Sequence, residues 1–414
     1  MTDFVVMLLF FFFCSGLIYL LIRNKKTSLT WLQINIFFGG KVVAGSLYGY
    51  VFKRFYHGDD TWGLNNDSFL QYKRLVHAPG AFFNDFFFNQ PIAPQLYFNP
   101  DKYLEKLEFA FITKIMAPVN IFSHGNYYIN IVFFNFLTFW GTYMLYKLLA
   151  EQFKTDKKLL AAVLFLFPPA IFWLSGLRAE GFLLLFTGVL LYEFNEWLNK
   201  KRVTDAIFCF LSFAMVFILR DGFALLLVPA LTGWWLSCHF KIRNFKSFGL
   251  TYLAVAIIVL LSCYVLPAPF NLLSIVTKRQ HEFLTLQGNT RFTLTPLEGN
   301  IVSFLKVTPE ALINVAVRPF FWEAKGPLQW FVAVENYFLL SLFIICIYKF
   351  RAYIKPVFQH PLTGVLFCTA LSSYLFIGFT VPFPGAIVRY KIISELFLLS
   401  IIIVIINNKR KISL

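Results

Sequence analysis

The sequence predicts an all-α polytopic membrane protein, from three features: its apolar weight, the spacing of its apolar runs, and the sidedness of its charge. Of 414 residues, 58% are hydrophobic and only 14% are charged, and the mean hydropathy is +0.66. Soluble domains carry about 25% charged residues. A water-soluble fold of this length has no interior large enough for so much apolar side chain, so the lipid bilayer is expected to be the main solvent. Aromatic residues make up 20% of the chain, including 54 phenylalanines. Phenylalanine suits lipid-facing surfaces, and tryptophan and tyrosine suit the two interfaces.

A bilayer-spanning helix needs about 20 mostly apolar residues. Runs of this kind predict eleven transmembrane helices, near residues 4–22, 31–52, 128–149, 159–176, 180–198, 204–219, 222–238, 249–266, 330–348, 361–378 and 390–406. The first run is not read as a signal peptide. No basic segment precedes it, no small-residue cleavage site follows it, and Arg23, Lys25 and Lys26 come after it. With the N-terminus outside and the C-terminus inside, the inner connections read RNKK, KTDKK, NKKR, KIRNFK, KFRAYIK and NNKRK. All are basic, as the positive-inside rule requires. Acids gather on the other side: Asp59, Asp60, Asp67, Asp85, Glu180, Asp221, Glu298 and Glu323.

Two outer loops, 53–127 and 267–329, are far longer than ordinary connections, whose median is about 4–6 residues. The first contains AFFNDFFFNQPIAPQLYF, a mixture that suits helices lying in the membrane interface. The second holds TRFTLTPLEGN and VRPFFWEAKGP. No internal repeat or low-complexity linker divides the chain, which is read as one membrane domain, 1–414, with its working surface outward.

Composition also narrows function. The net charge of +16 lies largely in short loops, where it sets orientation, and nucleic acid is not an expected partner. The six cysteines (Cys14, Cys209, Cys238, Cys263, Cys346 and Cys368) fall in or beside apolar runs without metal-site spacing. They read as small buried hydrophobes. Neither GxxxxGK[ST] nor GxGxxG occurs. This argues against an ATP-driven pump and against a Rossmann-type enzyme using nucleotide sugars.

The chemistry-bearing residues cluster at predicted helix ends on the outer side. After the second helix comes Lys53-Arg54-Phe55-Tyr56-His57-Gly58-Asp59-Asp60-Thr61-Trp62. Adjacent carboxylates at a membrane surface can serve as a general base on a hydroxyl or hold a divalent cation; they can equally be a solvated turn. Two short outer turns, Trp173-Leu174-Ser175-Gly176-Leu177-Arg178-Ala179-Glu180-Gly181 and Leu219-Arg220-Asp221-Gly222, each set an arginine beside an acid. Each reads as a local ion pair, an interfacial anchor or part of a site. With Arg389 and Lys391 in Gly385-Ala386-Ile387-Val388-Arg389-Tyr390-Lys391, they supply cations on one face, and arginine grips phosphate oxygens as a fork. Arg318-Pro319-Phe320-Phe321-Trp322-Glu323 suits either sugar stacking and positioning by Trp322 and Glu323, or an aromatic belt with a salt bridge. Lys41, inside the second apolar run, reads as an intramembrane functional residue or, in preference, as a lysine that snorkels to the inner interface, and Glu335 and Glu395 read as hydrogen-bonding or ion-paired groups near helix ends.

This arrangement resembles the GT-C superfamily of membrane glycosyltransferases, which includes protein mannosyltransferases and lipid A aminoarabinose transferases. The resemblance rests on the many helices, the long first outer loop and HGDDTW at its start. FWLSGLRAEG and GAIVRYK are similar to helix-end segments of bacterial members, and RPFFWEA to membrane proteins of polysaccharide loci. It implies inverting hexosyl transfer from a polyprenyl-phosphate-linked sugar to a glycan, lipid or protein acceptor, on the periplasmic side of a bacterial inner membrane. It implies Asp59 or Asp60 as catalytic base or holder of a divalent cation, and Arg178, Arg220, Arg318, Arg389 and Lys391 on the donor phosphate. The second acid of the family is matched by Asp67, Asp85 or Glu180, with Asp221 and Glu323 further candidates for substrate positioning. Two departures stand out: the acidic loop follows the second helix instead of the first, and no single residue is marked as the second acid. A polysaccharide polymerase, a flippase or transporter of lipid-linked sugars, and a scaffold without chemistry are the competing readings.

Overall fold

The structure, a computed structural model, describes residues 2–25, 27, 29–84, 100–153, 156–267, 271–286 and 291–412. Every regular element among the described residues is helical. In chain order these are α1 (Thr2–Ile22), α2 (Trp31–Phe55), α3 (Asp59–His77), α4 (Pro79–Asn84), α5 (Pro100–Met116), α6 (Tyr127–Gln152), α7 (Lys157–Leu166), α8 (Pro168–Trp173), α9 (Ala179–Lys200) and α10 (Val203–Leu219). They continue with α11 (Asp221–His239), α12 (Asn244–Val265), α13 (Leu272–Thr285), α14 (Ile301–Ala316), α15 (Pro327–Lys349), α16 (Arg351–Phe358), α17 (Pro361–Thr380) and α18 (Pro384–Ile412). A 3₁₀ turn (Ala117–Val119) and a single helical turn (Asn120–Ser123) lead from α5 towards α6.

Among the described residues seven helices are long and apolar enough to cross a membrane: Asp3–Ile22, Tyr127–Gln152, Asp221–His239, Asn244–Val265, Pro327–Lys349, Pro361–Thr380 and Pro384–Asn408. The other four predicted positions are helical too, but each departs from an apolar span for a reason visible in its residues. Pro168 and Pro169 break the fourth into α7 and α8, because proline lacks the N–H a continuing helix needs. Helix α10 has only 17 residues. Helices α2 and α9 are long enough but carry charged side chains, among them Lys41, Lys53 and Arg54 in α2 and Glu180, Glu193 and Glu196 in α9.

Helix starts follow local capping chemistry. Thr30 and Gln33 close a capping box on α2, Asn126 caps α6 through the Tyr128 N–H, and Asp156 caps α7 through Lys158 and Leu159. Each accepts a backbone N–H that the first helical turn cannot pair internally. The first long loop is helical where described, as α3, α4 and α5. The interfacial segment 81–98 of the sequence reading is described only as far as Asn84, and Asp85 lies outside the described residues.

The chain divides into two compact units, Met1–Ala224 and Leu225–Leu414. In the first, α6 is the central post, packed by α9, α2 and α1, while α10 packs on α9 and α5 on α3. Phe134, Phe139, Leu145 and Leu148 of α6 are fully buried. In the second, α18 packs against α17, α15 and α16, and α17 in turn against α14 and α13. Val315, Ile377, Val381 and Ile387 form a core cluster there.

Candidate functional site

The turn from α2 into α3 positions the acid pair. His57, Gly58 and Asp59 have φ of 55°, 103° and 44°, a left-handed run that glycine relieves at its centre. The chain thereby reverses, and α3 opens with Asp59 and Asp60 at its first two positions. Unpaired N–H groups and the helix dipole favour negative charge there.

Helix α3 is fixed by a buried polar seam. The Thr61 and Tyr127 hydroxyls are 2.9 Å apart, and the Trp62 indole N–H donates to the Gly49 carbonyl at 2.9 Å. Asn65 donates to the Gly125 carbonyl at 2.9 Å and accepts from Asn130 at 2.8 Å. Asn130 also donates to Asn120, which donates to Ser68. These residues stand on one face of α3, so the seam fixes its rotation and with it the direction of the acid pair.

The segment before α9 supplies the cation. The Ser175 carbonyl accepts from the Asn135 amide at 3.0 Å. Gly176 lies so close to Tyr48 that a Cβ there would stand 2.5 Å from the ring. This close approach seats Arg178, the N-cap of α9, beside α2 and α3. Arg178 Nη1 donates to Asp59 Oδ2 at 2.7 Å and to the Tyr48 hydroxyl at 3.2 Å, and Nη2 donates to Asp60 Oδ2 at 2.6 Å. Its Nε lies 3.8 Å from Glu180 Oε2, and Arg220 Nη2 donates to Glu180 Oε1 at 3.2 Å. Burial works against the Arg178 charge, but Tyr48, Glu180, Asp60 and Asp59 together raise its pKa well above the ordinary arginine value.

Exposure grades along this chain of charges. The side chains of Arg178 and Glu180 are 9% and 3% exposed, Asp59 and Arg220 31% each, and Asp60 69%. Asp60, Arg178, Glu180 and Arg220 line a cavity of about 440 Å³ with Glu105, Glu108, Phe109 and Ile112 of α5. Burial pushes the Glu108 carboxyl up to about 7, with the charges of Glu180 and Glu105 adding and those of Arg220 and Arg178 opposing. A carboxyl poised near neutrality beside a second acid and a partly exposed guanidinium can exchange a proton with a hydroxyl at physiological pH.

Five of the candidate residues therefore meet: Asp59, Asp60, Arg178, Glu180 and Arg220. Arg178 is committed to the acids and Tyr48 and acts as their hub, leaving Arg220 as the more accessible guanidinium. Asp67 is half-buried on α3 and Asp221 opens α11, and neither lines the cavity. In the second unit, Arg318 pairs with Glu323 at 3.3 Å and lies over the Phe292 ring at 4.5 Å. Trp322 stacks on Phe320 and is 79% exposed. Arg389 Nε donates to the Gly385 carbonyl of its own helix. Lys391, read from sequence as a rim cation, is 1% exposed and pairs with Glu395 at 2.8 Å. Its i,i+4 spacing to Glu395 turns it inward instead of towards a ligand at the surface. Lys41 is 3% exposed, so it is buried where snorkelling was expected.

Glu105 and Glu108 were not singled out from sequence. The available signal was their i,i+3 spacing within PDKYLEKLEFAFITKIM of α5, which sets both on one face. A divalent cation does not fit these acids as arranged. Asp59 and Asp60 each present an oxygen to Arg178, and among the described residues no group of three His, Cys, Asp or Glu side chains is gathered as a metal-binding set. Comparison with family models, with curated proteins and with solved structures finds no match to this chain.

Proposed function

We propose that this protein is a membrane glycosyltransferase that moves a sugar from a polyprenyl-phosphate donor to a cell-envelope acceptor, at the periplasmic face of a bacterial inner membrane. The observation that carries this reading is the cavity in which Asp60, Glu108 and Arg220 converge from α3, α5 and the end of α10. Glycosyl transfer from a lipid phosphate needs a group to take the acceptor's proton and a cation for the departing phosphate, and no ATP site. Asp60, held by Arg178, orients the acceptor hydroxyl. Its oxygen attacks the anomeric carbon as the bond from that carbon to the phosphate oxygen breaks, inverting the centre. Glu108 receives the hydroxyl proton. Arg220 meets the charge that grows on the leaving phosphate, a contact strongest in the transition state. Glu180 fixes Arg220 in turn, which assigns it the role of second acid.

The test is transfer of labelled sugar from a polyprenyl-phosphate donor to a membrane acceptor fraction, comparing the wild type with Asp60→Asn at equal membrane levels. A loss of about 10²-fold is expected, since misplacing a reacting group by about 1 Å can cost that much. Full activity in the variant removes Asp60 from the mechanism. Movement of labelled donor lipid across sealed vesicles without a new glycosidic bond favours a flippase instead.

A further inference from the structure

The second unit contains a charge cluster that the proposed reaction does not use. Helix α15 contributes Glu335 and Asn336, and α18 contributes Lys391 and Glu395. Glu335 is 5% exposed, and the other three are each 1% exposed. Lys391 Nζ lies 2.8 Å from Glu395 Oε1, donates to Asn336 Oδ1 at 2.5 Å and donates to the Val315 carbonyl at the end of α14 at 3.2 Å. Asn336 is held in turn by donating to the Arg318 carbonyl at 2.7 Å. Two of the three ammonium hydrogens thus go to Asn336 and Val315, and Glu395 is held by charge, both its carboxyl oxygens being buried without a hydrogen bond.

Glu335 is left without a donor. Both its carboxyl oxygens are buried and make no hydrogen bond, although Glu395 is close enough to interact with it directly. Tyr374 of α17 also acts on both carboxyls, and its hydroxyl does not bond to Glu335. Asn314, next to Val315, also has a buried and unpartnered amide nitrogen. Two ionised carboxylates against one ammonium leave a net negative charge in an apolar interior, a cost of several kcal/mol. Two carboxylates are also acceptors only, and cannot hydrogen-bond to each other. One proton removes both difficulties, giving an acid–carboxylate pair with Lys391 neutralising the remaining charge.

We propose that Glu335 and Glu395 form a proton-binding site, sharing a single proton between α15 and α18. The ligand is the proton itself, taken up and released between two helices that are each apolar enough to cross a membrane. Ionisable groups buried between such helices are the usual elements of proton relays. This inference does not rest on the glycosyltransferase reading.

Infrared spectroscopy of the full-length protein in detergent tests it, recorded at neutral pH in the Glu108→Gln background so that the Glu108 carboxyl of the first unit does not contribute. A carboxylic-acid C=O band equivalent to one group is expected, and either Glu335→Gln or Glu395→Gln alone should abolish it. Each change leaves one carboxylate for one ammonium, with no proton to hold. Lys391→Met should roughly double the band. Persistence of the band in Glu395→Gln makes Glu335 an isolated acid and overturns the shared site. So does absence of the band without either substitution, a result that stands even where the glutamine variants fail to fold. Loss of the band when choline chloride is replaced by sodium chloride at the same pH also overturns it, in favour of a monovalent cation.

Discussion

Each unit of the molecule buries a cation among acids, and the two clusters differ in what water can reach. In the first, Arg178 donates to a phenol and two carboxylates and lies beside a third. One of those acids, Asp60, is 69% exposed on a cavity. In the second, Lys391 and Glu395 are each 1% exposed, and the ammonium is held by Asn336, the Val315 carbonyl and Glu395. Similar ingredients thus give different capacities. A graded, open cluster can meet a bulky substrate with a phosphate, whereas a closed one is shut off from water and from such a substrate. The planar fork of arginine also suits several acids at once, while the compact ammonium of lysine suits a few close partners.

The largest expected effect tests the closed cluster. Lys391→Met removes the only cation from a fully buried pair, and breaking such a pair costs about 3–5 kcal/mol. Arg178→Met should cost less, because Asp59 and Asp60 retain access to water and Asp60 is mostly exposed. Denaturant unfolding of the two variants in detergent measures both. Equal losses, or a greater loss at Arg178, would remove the contrast in solvent access on which the comparison stands.

The next effect concerns the open cluster and has a pH signature. Glu108 is raised from 4.5 to about 7, and in the proposed reaction its ionised form is the base. Transfer should therefore climb about tenfold per pH unit on approaching pH 7 from below and level off above it. Glu108→Gln should lower the plateau by about 10²-fold and flatten the slope. Stability moves the other way. A raised folded-state pKa stabilises fully below the unfolded value near 4.5 and is lost as pH rises through about 7. The glutamine variant should therefore gain relative to the wild type between pH 5 and 8. An unchanged rate profile with the expected stability shift would make Glu108 a buried acid without a part in proton transfer.

These clusters also mark what the sequence makes legible. Helix positions follow from apolar runs, because a bilayer-crossing helix must be continuous over its own residues. The acid pair at HGDDTW is visible for a similar reason, being local to one turn. Arg178 and Asp59 are 119 positions apart, and their meeting depends on Gly176 packing against Tyr48 and on the Asn65, Asn120 and Asn130 seam, neither of which leaves a local pattern. Helices α2 and α9 fall short as apolar spans because they carry polar groups, Glu180 of the site among them. Lys391 misled because its neighbours Arg389 and Tyr390 suggest a surface segment. The decisive cue was Glu395 four residues on, one helical turn away.

The smallest expected effect separates the remaining acids. Asp67 and Glu180 were equally eligible from sequence as the second acid. Glu180 is 3% exposed, lines the cavity and holds Arg220. Asp67 stands two turns along α3 from Asp60, half-buried and outside the cavity lining. Asp67→Asn should leave sugar transfer within twofold and stability within about 0.5 kcal/mol, as for substitutions away from buried networks. Glu180→Gln keeps the shape of the side chain but weakens its hold on Arg220, so transfer should fall well below that of the Asp67 variant at the same protein level. A large loss at Asp67 with little at Glu180 would move the second acid two turns along α3, beyond the cavity lining, and the cavity would no longer be the place where the charges act together.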